Sequence, residues 1–468
     1  MAKAKKKEVL SLEEKLEQAL VPVEEQPYKV PENWCWTRIR EVCEFERGIT
    51  FPASAKEYEL TEENIACLRT ANIQEELELE DLLYVNKSYM KGNEAKLVKK
   101  DDIIMSSANS RELVGKASYV YDVNESMTFG GFVLNIRAKK ILSKYLFYLL
   151  RFEFLSGRFM GESTQTTNIA NINTTTLGNY CFPLPPLTEQ QRIVEQIERL
   201  FAKLDEAKDK LQEVLESYQS RKMSLLHKAY SGELTVGWRI VKGIDIDTWL
   251  SVTIDDISDV KGGKRVPKGM ELVYENTGQP YIKAGNLKQG TVIDDGIMYV
   301  PDEVYKYIKK YTVKTGDVYI TNVGACIGDC GVIPEKYNGA NLTENAVKMT
   351  NLRCDSNFLA LYLETNTVQQ MIKGLIASAT LGKLSIANIK TIKIMLPSID
   401  EQKEIVRIVK EVLAKEDIAR EQVVKVIQQI DLMKKSILAK AFRGELGTNN
   451  PDEESAVKLL KQIITENL

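Results

Sequence analysis

Histidine is nearly absent from this sequence, since His227 is the only one among 468 residues. A single histidine leaves little room for His-based acid–base catalysis, and it excludes a zinc site of the HExxH type. Seven cysteines are spread along the chain, and this odd number predicts free thiols rather than a disulfide framework. Cys326 and Cys330 are close in sequence, but a structural zinc needs four ligands. The sequence therefore predicts no metal site.

Long apolar runs are missing as well. No stretch approaches the roughly 20 residues that a membrane-spanning helix needs, and the lysine-rich residues 1–7 lead into Glu8 without an apolar signal core. These absences predict a cytoplasmic protein with no membrane partner. The length predicts two or more domains.

Motifs of nucleotide-binding and hydrolytic enzymes are also absent. The chain contains no GxxxxGK[ST] phosphate loop, no GxGxxG after a strand and no GxSxG elbow. It also lacks the Asn/Asp-Pro-Pro-aromatic motif with which amino-methyltransferases hold a flipped base. These absences argue against ATP binding and against catalytic residues in this chain.

An internal duplication is the strongest pattern that is present. Residues 189–234 and 401–446 share 17 identities in 46 positions at a constant offset of 212. The two copies begin with LPPLTEQQRIV and LPSIDEQKEIV and end with KAYSGEL and KAFRGEL. Upstream, four pairs of segments recur in the same order: NWCWTRIREV and TWLSVTIDDI, LRTANI and IKAGNL, KKDDIIMS and KTGDVYIT, SKYLFYLL and SNFLALYL. The chain is therefore built twice from a globular part followed by a long repeated segment.

Each long repeated segment is predicted to form one helix. Thr188 and Gln191 form a predicted capping box for the first helix, and Asp400 is the predicted N-cap of the second. Gly232 and Gly444 are predicted to end the helices in left-handed caps. About 43 residues lie between these signals, which corresponds to a rod of roughly 65 Å.

Apolar residues follow a 3,4 spacing along both predicted helices, which is typical of coiled coils. The predicted seam residues are Ile193, Ile197, Leu200, Leu204, Leu211, Val214, Tyr218, Leu225, Ile405, Val409, Val412, Val423, Val426, Ile430, Met433 and Ile437. Antiparallel pairing within one chain, with a pseudo-two-fold axis, is favoured over pairing between two molecules. Two registers stay open. One sets Arg221 against Glu416, and the other sets Ile193 opposite Ile437 and buries more apolar surface.

Neither globular half is basic. Residues 31–180 hold 18 basic and 21 acidic residues, and residues 236–397 hold 19 and 17. Binding to nucleic acid would therefore depend on local contacts and on a partner. The loop KGGKRVPKG offers Lys261, Gly263, Lys264 and Arg265, and the related FERGITFP offers Arg47 and Gly48. A solvated surface loop is the alternative.

Polar loops at equivalent places in both halves supply the other candidate DNA contacts, because their side chains can read base edges. They are Arg69, Asn72, Ser106, Ser107, Asn109, Arg111, Thr164, Gln165 and Asn168, then Lys283, Asn286, Thr321, Asn322, Ser378, Thr380 and Lys383. The same residue types are common in turns, so a structural role stays open for each. The loops differ between the halves while the helices stay alike, as expected if the halves read different sequences.

The anchors LPPLTEQQRIV with AYSGEL, and LPSIDEQKEIV with AFRGEL, closely resemble the conserved regions of type I restriction–modification specificity subunits. The resemblance covers nearly the whole chain. It implies an α+β fold in which two similar mixed α/β target-recognition domains are joined by two long helices, paired as an antiparallel coiled coil. It also implies that the chain reads a bipartite, asymmetric target in double-stranded DNA, with one half-site per domain. The paired helices would then act as a spacer ruler and as a docking platform.

The resemblance also implies the partners of the chain. These are two methyltransferase subunits and, through them, restriction-translocase subunits, which would carry out adenine-N6 methylation and ATP-dependent cleavage. S-adenosylmethionine, ATP and Mg2+ would be used by those partners and not bound by this chain. The alternative is a non-catalytic coiled-coil adaptor that binds proteins without reading DNA.

We expect six segments along the chain. They are a helical extension (1–30), a recognition domain (31–186), a long helix (187–235), a second recognition domain (236–397), a second long helix (398–448) and a helical tail (449–468). A capping box of Ser11 and Glu14 begins the extension, and Leu460 and Ile464 mark the apolar stripe of the tail. Both terminal helices would either dock a methyltransferase subunit or pack onto the coil.

Overall fold

The computed structural model describes residues 11–165, 169–377 and 382–466. Its residues form two compact units. The first unit consists of the described residues of Met1–Lys210 and Lys425–Leu468, and the second unit is Leu211–Val424. The C-terminal end of the chain therefore belongs to the same unit as the N-terminal half. Among the described residues, no helix is both long enough and apolar enough to cross a membrane.

Each unit contains both helices and strands. The helices are α1 (Leu12–Ala19), α2 (Ile39–Val42), α3 (Ser143–Leu155), α4 (Arg158–Glu162), α5 (Thr174–Gly178), α6 (Leu187–Glu216), α7 (Tyr218–Tyr230), α8 (Val236–Lys242), α9 (Ile254–Ile257), α10 (Asp302–Ile308), α11 (Ser356–Leu363), α12 (Asn366–Ala377), α13 (Ile386–Lys390), α14 (Ile399–Phe442) and α15 (Ala456–Glu466). The strands of the first unit are β1 (Cys35–Arg38), β2 (Cys43–Arg47), β3 (Asn64–Leu68), β4 (Leu83–Asn86), β5 (Ile103–Ser106), β6 (Ala108–Asn109), β7 (Ala117–Tyr119), β8 (Met127–Phe129), β9 (Val133–Ala138), β10 (Thr164–Gln165), β11 (Ala170–Asn171) and β12 (Cys181–Leu184). Those of the second unit are β13 (Leu250–Thr253), β14 (Asp259–Gly262), β15 (Pro280–Ile282), β16 (Leu287–Lys288), β17 (Thr291–Val292), β18 (Met298–Tyr299), β19 (Val318–Thr321), β20 (Cys330–Val332), β21 (Asn341–Leu342), β22 (Ala346–Thr350) and β23 (Lys393–Leu396).

The two units share one sheet topology. The first contains a four-stranded sheet in the order β2-β9-β5-β7, a three-stranded sheet β4-β3-β8 and the pair β1-β12. The second contains β14-β22-β19-β20, β18-β15-β21 and β13-β23 in the same roles. Small sheets differ, with β10-β11-β6 in the first unit and β16-β17 in the second. The duplication seen in the sequence therefore extends to the fold, which is α+β with two similar mixed domains.

The central strands are apolar on both faces because both faces are covered. In β5, Ile103 and Met105 join the core that contains α3, while Ile104 joins a second core that contains residues of the three-stranded sheet. In β19, Val318 and Tyr319 divide in the same way between two cores. Such a strand reads as a continuous apolar run in the sequence.

The C-terminal ends of the long helices were predicted correctly and their N-terminal ends were not. Gly232 and Gly444 follow the helices with φ of +80° and +72°, so both predicted left-handed caps are confirmed. The predicted N-caps are wrong. Thr188 lies inside α6, which begins at Leu187, and Ser398, two residues before Asp400, accepts the Glu401 amide through its hydroxyl.

The first long helix is interrupted once. Ser217 separates α6 from α7, whereas α14 is continuous over 44 residues. The Val214 carbonyl at the break accepts hydrogen bonds from the Ser217 hydroxyl (3.0 Å) and from Arg221 Nη1 (3.2 Å). These side chains satisfy a carbonyl that the interrupted helix leaves open.

The long helices pair in antiparallel fashion in each unit. In the first unit, Lys208 Nζ lies 3.0 Å from Asp431 Oδ1, and Asp205 accepts from Lys434. In the second unit, Arg221 Nη2 lies 2.7 Å from Glu416 Oε2. The structure therefore adopts the register that sets Arg221 against Glu416, and not the one with longer overlap.

Burial along the predicted seam is uneven. Ile193, Ile197, Ile405, Val409 and Ile430 are buried. Partly buried are Leu200, Leu204, Leu211, Tyr218, Leu225, Val423 and Ile437. Val214, Val412, Val426 and Met433 are exposed. Two helices without a third partner shield only the line of contact between them, so part of the predicted seam stays accessible to solvent.

Both terminal helices pack into the first unit. The predicted capping box is confirmed, since Ser11 and Glu14 each accept the other's backbone amide. On α15, Leu460, Ile463 and Ile464 are buried in the core of this unit, and α15 contacts both α1 and α2. Both helices therefore pack within the first unit, and docking of a methyltransferase subunit on them stays a prediction. All seven cysteines are free, as predicted.

Candidate nucleic-acid interface

A Glu-Gln dipeptide at the start of each long helix joins the helix to its globular domain. Gln190 Nε2 donates to the Pro185 carbonyl (3.0 Å), and its Oε1 accepts the Leu142 amide (2.8 Å). Gln402 repeats both bonds, donating to the Pro397 carbonyl (2.8 Å) and accepting the Asp355 amide (2.8 Å). Because the amide side chain bonds the start of another helix, it fixes that domain on the rod.

The glutamates of these dipeptides are fully buried and meet different partners in the two units. Glu401 accepts from Trp249 Nε1 (3.0 Å), Thr235 Oγ1 (2.7 Å) and Arg239 Nη1 (2.7 Å). The guanidinium therefore neutralises a carboxylate that is removed from water.

Glu189 has neutral partners instead. It accepts from Trp34 Nε1 (2.7 Å) and from Asn449 Nδ2 (2.9 Å), an amide near the C-terminus. None of the four residues of these two Glu-Gln dipeptides was predicted as functional from the sequence. The identity of Glu-Gln in both copies, directly after LPPLT and LPSID, was the signal that could have indicated them.

Gly48 and Gly263 are needed for close packing of backbone. A Cβ atom at Gly48 would lie 2.0 Å from the Gly130 carbonyl oxygen, and one at Gly263 would lie 2.0 Å from the Thr343 carbonyl oxygen. Both glycines follow the first strand of the four-stranded sheet. The two glycines therefore allow two segments of the chain to cross at close range. The sequence pattern had been interpreted instead as a place where the backbone approaches phosphate.

We expect Gly48→Ala to destabilise the first unit by about 1 to 3 kcal/mol or more, because the backbone that meets the added methyl group cannot yield as a side chain would. Gly131→Ala is the matched control, since its Cβ would meet its nearest neighbours at 3.4 and 3.5 Å. Hydrogen exchange of β2 and β9 measures the difference. Equal exchange in the two variants would contradict the packing argument.

Asn72 and Asn286 hold turns and offer no polar group to DNA. Asn72 Oδ1 accepts the Arg69 amide (2.9 Å), and its Nδ2 donates to the Glu78 and Asp81 carbonyls (3.0 and 3.1 Å). Asn286 is buried in an equivalent turn, in which it accepts the Lys283 amide (3.1 Å). We correct these two predictions, because their side chains are already satisfied within the protein.

Two predicted hydroxyl contacts are also buried. Ser106 is buried at the end of β5, where its Oγ accepts from Asn109 Nδ2 (3.1 Å). Thr321 ends the equivalent strand β19 and donates to the Cys326 carbonyl. Ser107, the next residue after Ser106, donates to the Phe132 carbonyl (3.1 Å). Ser106 and Thr321 therefore shape their loops and are removed from the candidate interface.

The fold brings two of the predicted loops together in each unit. In the first, the Ile172 amide donates to the Ser107 carbonyl (2.9 Å), and a small sheet joins β10 and β11 to β6, which ends at Asn109. In the second, the Leu384 amide donates to the Asn322 carbonyl (3.0 Å). Asn322 Oδ1 is buried and makes no hydrogen bond with the described residues.

The first strand of each four-stranded sheet ends beside these loops. β2 and β5 flank β9, with Arg47 opposite Leu134 and Ser106 opposite Val133. β14 and β19 flank β22 in the second unit, with Gly262 opposite Val347. Each unit thus gathers its candidate loops at one end of its four-stranded sheet.

Three of the candidate cations have acidic partners. Arg69 Nη2 lies 3.0 Å from Asp81 Oδ2, and Lys261 Nζ lies 3.0 Å from Asp259 Oδ2. The hydrogen bond from Lys261 lowers the pKa of Asp259. Arg265 pairs with Glu344, and this hydrogen bond raises the pKa of Arg265.

The remaining candidate cations have no ion pair among the described residues. Arg47, Arg111 and Lys383 are exposed, and Lys264 lies 5.8 Å from the centre of the Tyr311 ring. Lys283 is partly buried beside its turn. Asn168, Ser378 and Thr380 lie outside the described residues, and so do the side chains of Thr164 and Gln165. The exposed cations at these loops leave room for phosphate contacts of the local kind that the charge balance requires.

Comparison with known proteins places this geometry in a family. A family model for the type I restriction modification DNA specificity domain matches residues 31–217 and 246–429. The EcoKI specificity subunit of Escherichia coli (strain K12) is 25% identical, over 94% of this chain and 96% of that protein. The StySPI specificity subunit of Salmonella potsdam is 26% identical over the same shares.

Solved structures agree with the fold. The crystal structure of the HsdS subunit from Thermoanaerobacter tengcongensis superposes with a TM-score of 0.58 at 19% identity, covering 91% of this chain and 100% of that one. A chain from a structural study of complex assembly and conformational transition of the type I R-M system reaches a TM-score of 0.65 at 19% identity, covering 90% of this chain and 100% of that one.

Proposed function

The chain belongs to the type I restriction–modification DNA specificity family, and from this premise we propose that it reads a bipartite, asymmetric sequence in double-stranded DNA. Residues 31–186 read one half-site and residues 236–397 read the other. The observation that carries the proposal is a framework that is the same in both units, with different side chains on its loops. Ser107 and Asn322, for example, occupy equivalent positions and accept equivalent backbone bonds.

The proposed contacts are few and local. Arg47 and Arg111 in the first unit and Lys264 and Lys383 in the second, all exposed, bind phosphates. Each phosphate contact contributes a slope of about −0.9 to the dependence of log affinity on log salt concentration. With so few cations, much of the grip on DNA comes from partner subunits.

Catalysis belongs to the partners in this proposal. Two methyltransferase subunits methylate adenine at N6, and restriction-translocase subunits bind through them and cleave DNA with ATP. S-adenosylmethionine, ATP and Mg2+ serve those subunits, and this chain supplies sequence recognition without catalytic residues. The paired helices α6–α7 and α14 provide a surface on which the methyltransferase subunits dock.

The paired helices also set the spacer between the half-sites. We expect a seven-residue insertion in each helix, after Lys210 and after Val424, to lengthen the spacer by about three base pairs. Seven residues add about 10 Å of helix and keep the seam facing the partner helix. Sequencing of adenine methylation in cells that carry the variant measures the spacer directly.

Two controls accompany this insertion. Seven residues added after Glu275, within the exposed segment 274–278, leave both long helices unchanged, so the spacer should stay the same. A helix variant that methylates the original motif, with both half-sites and the spacer unaltered, would refute the ruler.

The proposal as a whole is tested by sequencing adenine methylation in a host with the cognate methyltransferase gene, with and without this gene. An asymmetric two-part motif that appears only with this gene supports sequence recognition. If an active methyltransferase modifies the same motif without this chain, the proposal is wrong. A protein that binds the methyltransferase but changes neither motif nor DNA affinity is an adaptor.

A further inference from the structure

The second unit leaves open a strand edge that the first unit covers. β1 and β13 occupy equivalent places, each antiparallel to the strand that precedes a long helix. On the other edge of β1, the Val21 amide donates to the Trp36 carbonyl (2.9 Å), and Thr37 Oγ1 donates to the Ala19 carbonyl (2.8 Å). Among the described residues, no strand or bridge takes this place beside β13.

Exposure differs between the two strands accordingly. Cys35 and Trp36 on β1 are buried, whereas their equivalents Leu250 and Ser251 on β13 are exposed, with Leu250 at 63%. The backbone carbonyl of Trp36 faces the covered edge, so that of Ser251 faces the open one. An exposed apolar strand with an unpaired edge is a template for pairing with another chain.

Tyr28 of the N-terminal extension fills the place beside Trp36 and Arg443 in the first unit. This ring meets Trp36 edge-on, with the centroids 4.9 Å apart, and the Arg443 guanidinium lies 5.5 Å from its centre. Burial raises the pKa of Tyr28, and the nearby charge of Glu153 adds to the increase. By the sequence repeat, the equivalents of Arg443 and Glu153 are Ser231 and Asn366.

These equivalents line an open groove in the second unit. The groove has a volume of about 780 Å³, and His227, Tyr230, Tyr362 and Met395 line it together with Ser231 and Asn366. Met395 lies directly across the ladder from Ser251. The open edge and the groove are therefore adjacent. In the first unit the equivalent places are taken by Val21, at the strand edge, and by Tyr28.

We propose that an extended segment of a methyltransferase subunit docks on this surface. It adds an antiparallel strand to the open edge of β13 and places an aromatic side chain in the groove, which is the mode of strand addition. This inference rests on the proposed function, which supplies the partner. Residues 19–28 show the chemistry that fits: apolar residues along the edge, followed by an aromatic ring seven residues after Val21.

A second copy of the chain is the weaker candidate for this place. The described part of the chain has one such extension, and its Ala19 and Val21 are already buried in the first unit. A second copy would have to expose these residues before its extension could move. The occupant is therefore a segment of a different polypeptide.

Hydrogen exchange of the full chain, alone and bound to its methyltransferase subunits, tests the docking. We expect amides of residues 250–253 to exchange at least tenfold more slowly in the complex. Leu250→Lys and Ser251→Pro should weaken binding of these subunits at least tenfold, because the first removes apolar contact and the second removes a donor at an edge that tolerates proline. Tyr307→Lys, with equal exposure of 63%, should leave binding unchanged.

The outcomes separate this inference from the proposed function. If motif methylation depends on this chain but residues 250–253 gain no protection and both variants bind normally, the docking inference is wrong and the function stands. If no motif depends on the chain, the function itself fails. Protection that grows with concentration of the chain alone, together with a doubled mass in light scattering, would assign the surface to a second copy and overturn the proposed occupant. Should a variant fail to fold, the exchange measurement on the unaltered complex still decides.

Discussion

Arg239→Ala is expected to lower the unfolding free energy of the second unit by about 3 to 5 kcal/mol, since removing one partner of a buried ion pair leaves the other charge uncompensated. Arg239 and Glu401 side chains are 7% and 0% exposed. Arg239 also donates through Nη2 to the Gly232 carbonyl (2.7 Å), so the variant opens the turn that ends the first long helix. Hydrogen exchange resolved by unit is the suitable measurement, because a chain of two units need not unfold in one step.

Arg221→Ala is the matched control for this prediction. Arg221 and Glu416 form a similar short ion pair, but their side chains are 38% and 28% exposed. Solvent screens such a pair, so we expect a much smaller loss than for Arg239→Ala. Equal losses for Arg239→Ala and Arg221→Ala would contradict the argument from burial.

A second variant separates lost charge compensation from lost packing. Adding Glu401→Gln to Arg239→Ala removes the uncompensated carboxylate, so the double variant should be more stable than Arg239→Ala alone. If the double variant is less stable by the sum of the two single losses, packing of the guanidinium explains the effect instead.

A chain that ends at Gly447 is expected to lose the fold of the first unit and to keep that of the second. The deletion removes three large buried side chains of α15, Leu460, Ile463 and Ile464, each worth about 1.5 to 3 kcal/mol. It also removes Glu453, which accepts from Arg192 Nη1 and Nη2 at 2.7 and 2.8 Å. Such a loss is comparable with the total stability of a domain, about 5 to 15 kcal/mol.

Exchange protection in residues 250–397 of the same molecule serves as the internal control for the deletion. A milder pair of variants tests the same contact: Leu460→Ala, at a fully buried position, should cost about 2 to 5 kcal/mol, and Gln462→Ala, at an exposed one, should cost almost nothing. In methylation sequencing, the deletion should abolish recognition of the half-site read by the first domain. A shortened chain with unchanged protection in β5 and β9 would refute this prediction.

The long helices show how far local sequence signals reach. Their C-terminal caps at Gly232 and Gly444 were predictable, because a left-handed residue after a periodic segment is a local signal. Their starts were predicted too late. The turn before the first helix is held by Gln190, which bonds both the Pro185 carbonyl and the distant Leu142 amide, and no local capping pattern contains that second contact.

The break in the first long helix was not predictable from the sequence either. It occurs at Ser217, where Arg221 reaches both the Val214 carbonyl and Glu416 on the facing helix. The facing helix enters this arrangement only after the two helices have paired. A periodic apolar pattern along one helix therefore cannot indicate the interruption.

In the predicted interface, residue type alone does not reveal the role of a side chain. Asparagine is common both among side chains that read bases and in turns, and for Asn72 and Asn286 the hydrogen bonds to backbone carbonyls decide between the two roles. Gly48 and Gly263 were placed correctly as special backbone positions, but what approaches them is a strand connection of the same unit. The exposed cations at the candidate loops stay as proposals that DNA binding must test.

The amino-acid sequence by itself determined the duplication, the two long helices, the family and the free cysteines, because repeated residues, periodicity and composition are properties of the chain read along its length. Tertiary structure alone decided the register of the paired helices, the union of the C-terminal tail with the first unit and the open edge of β13. Each of these depends on contacts between distant residues, such as the bond from Asn33 to the Asn450 carbonyl across 417 positions, and no local pattern specifies which distant segments will meet.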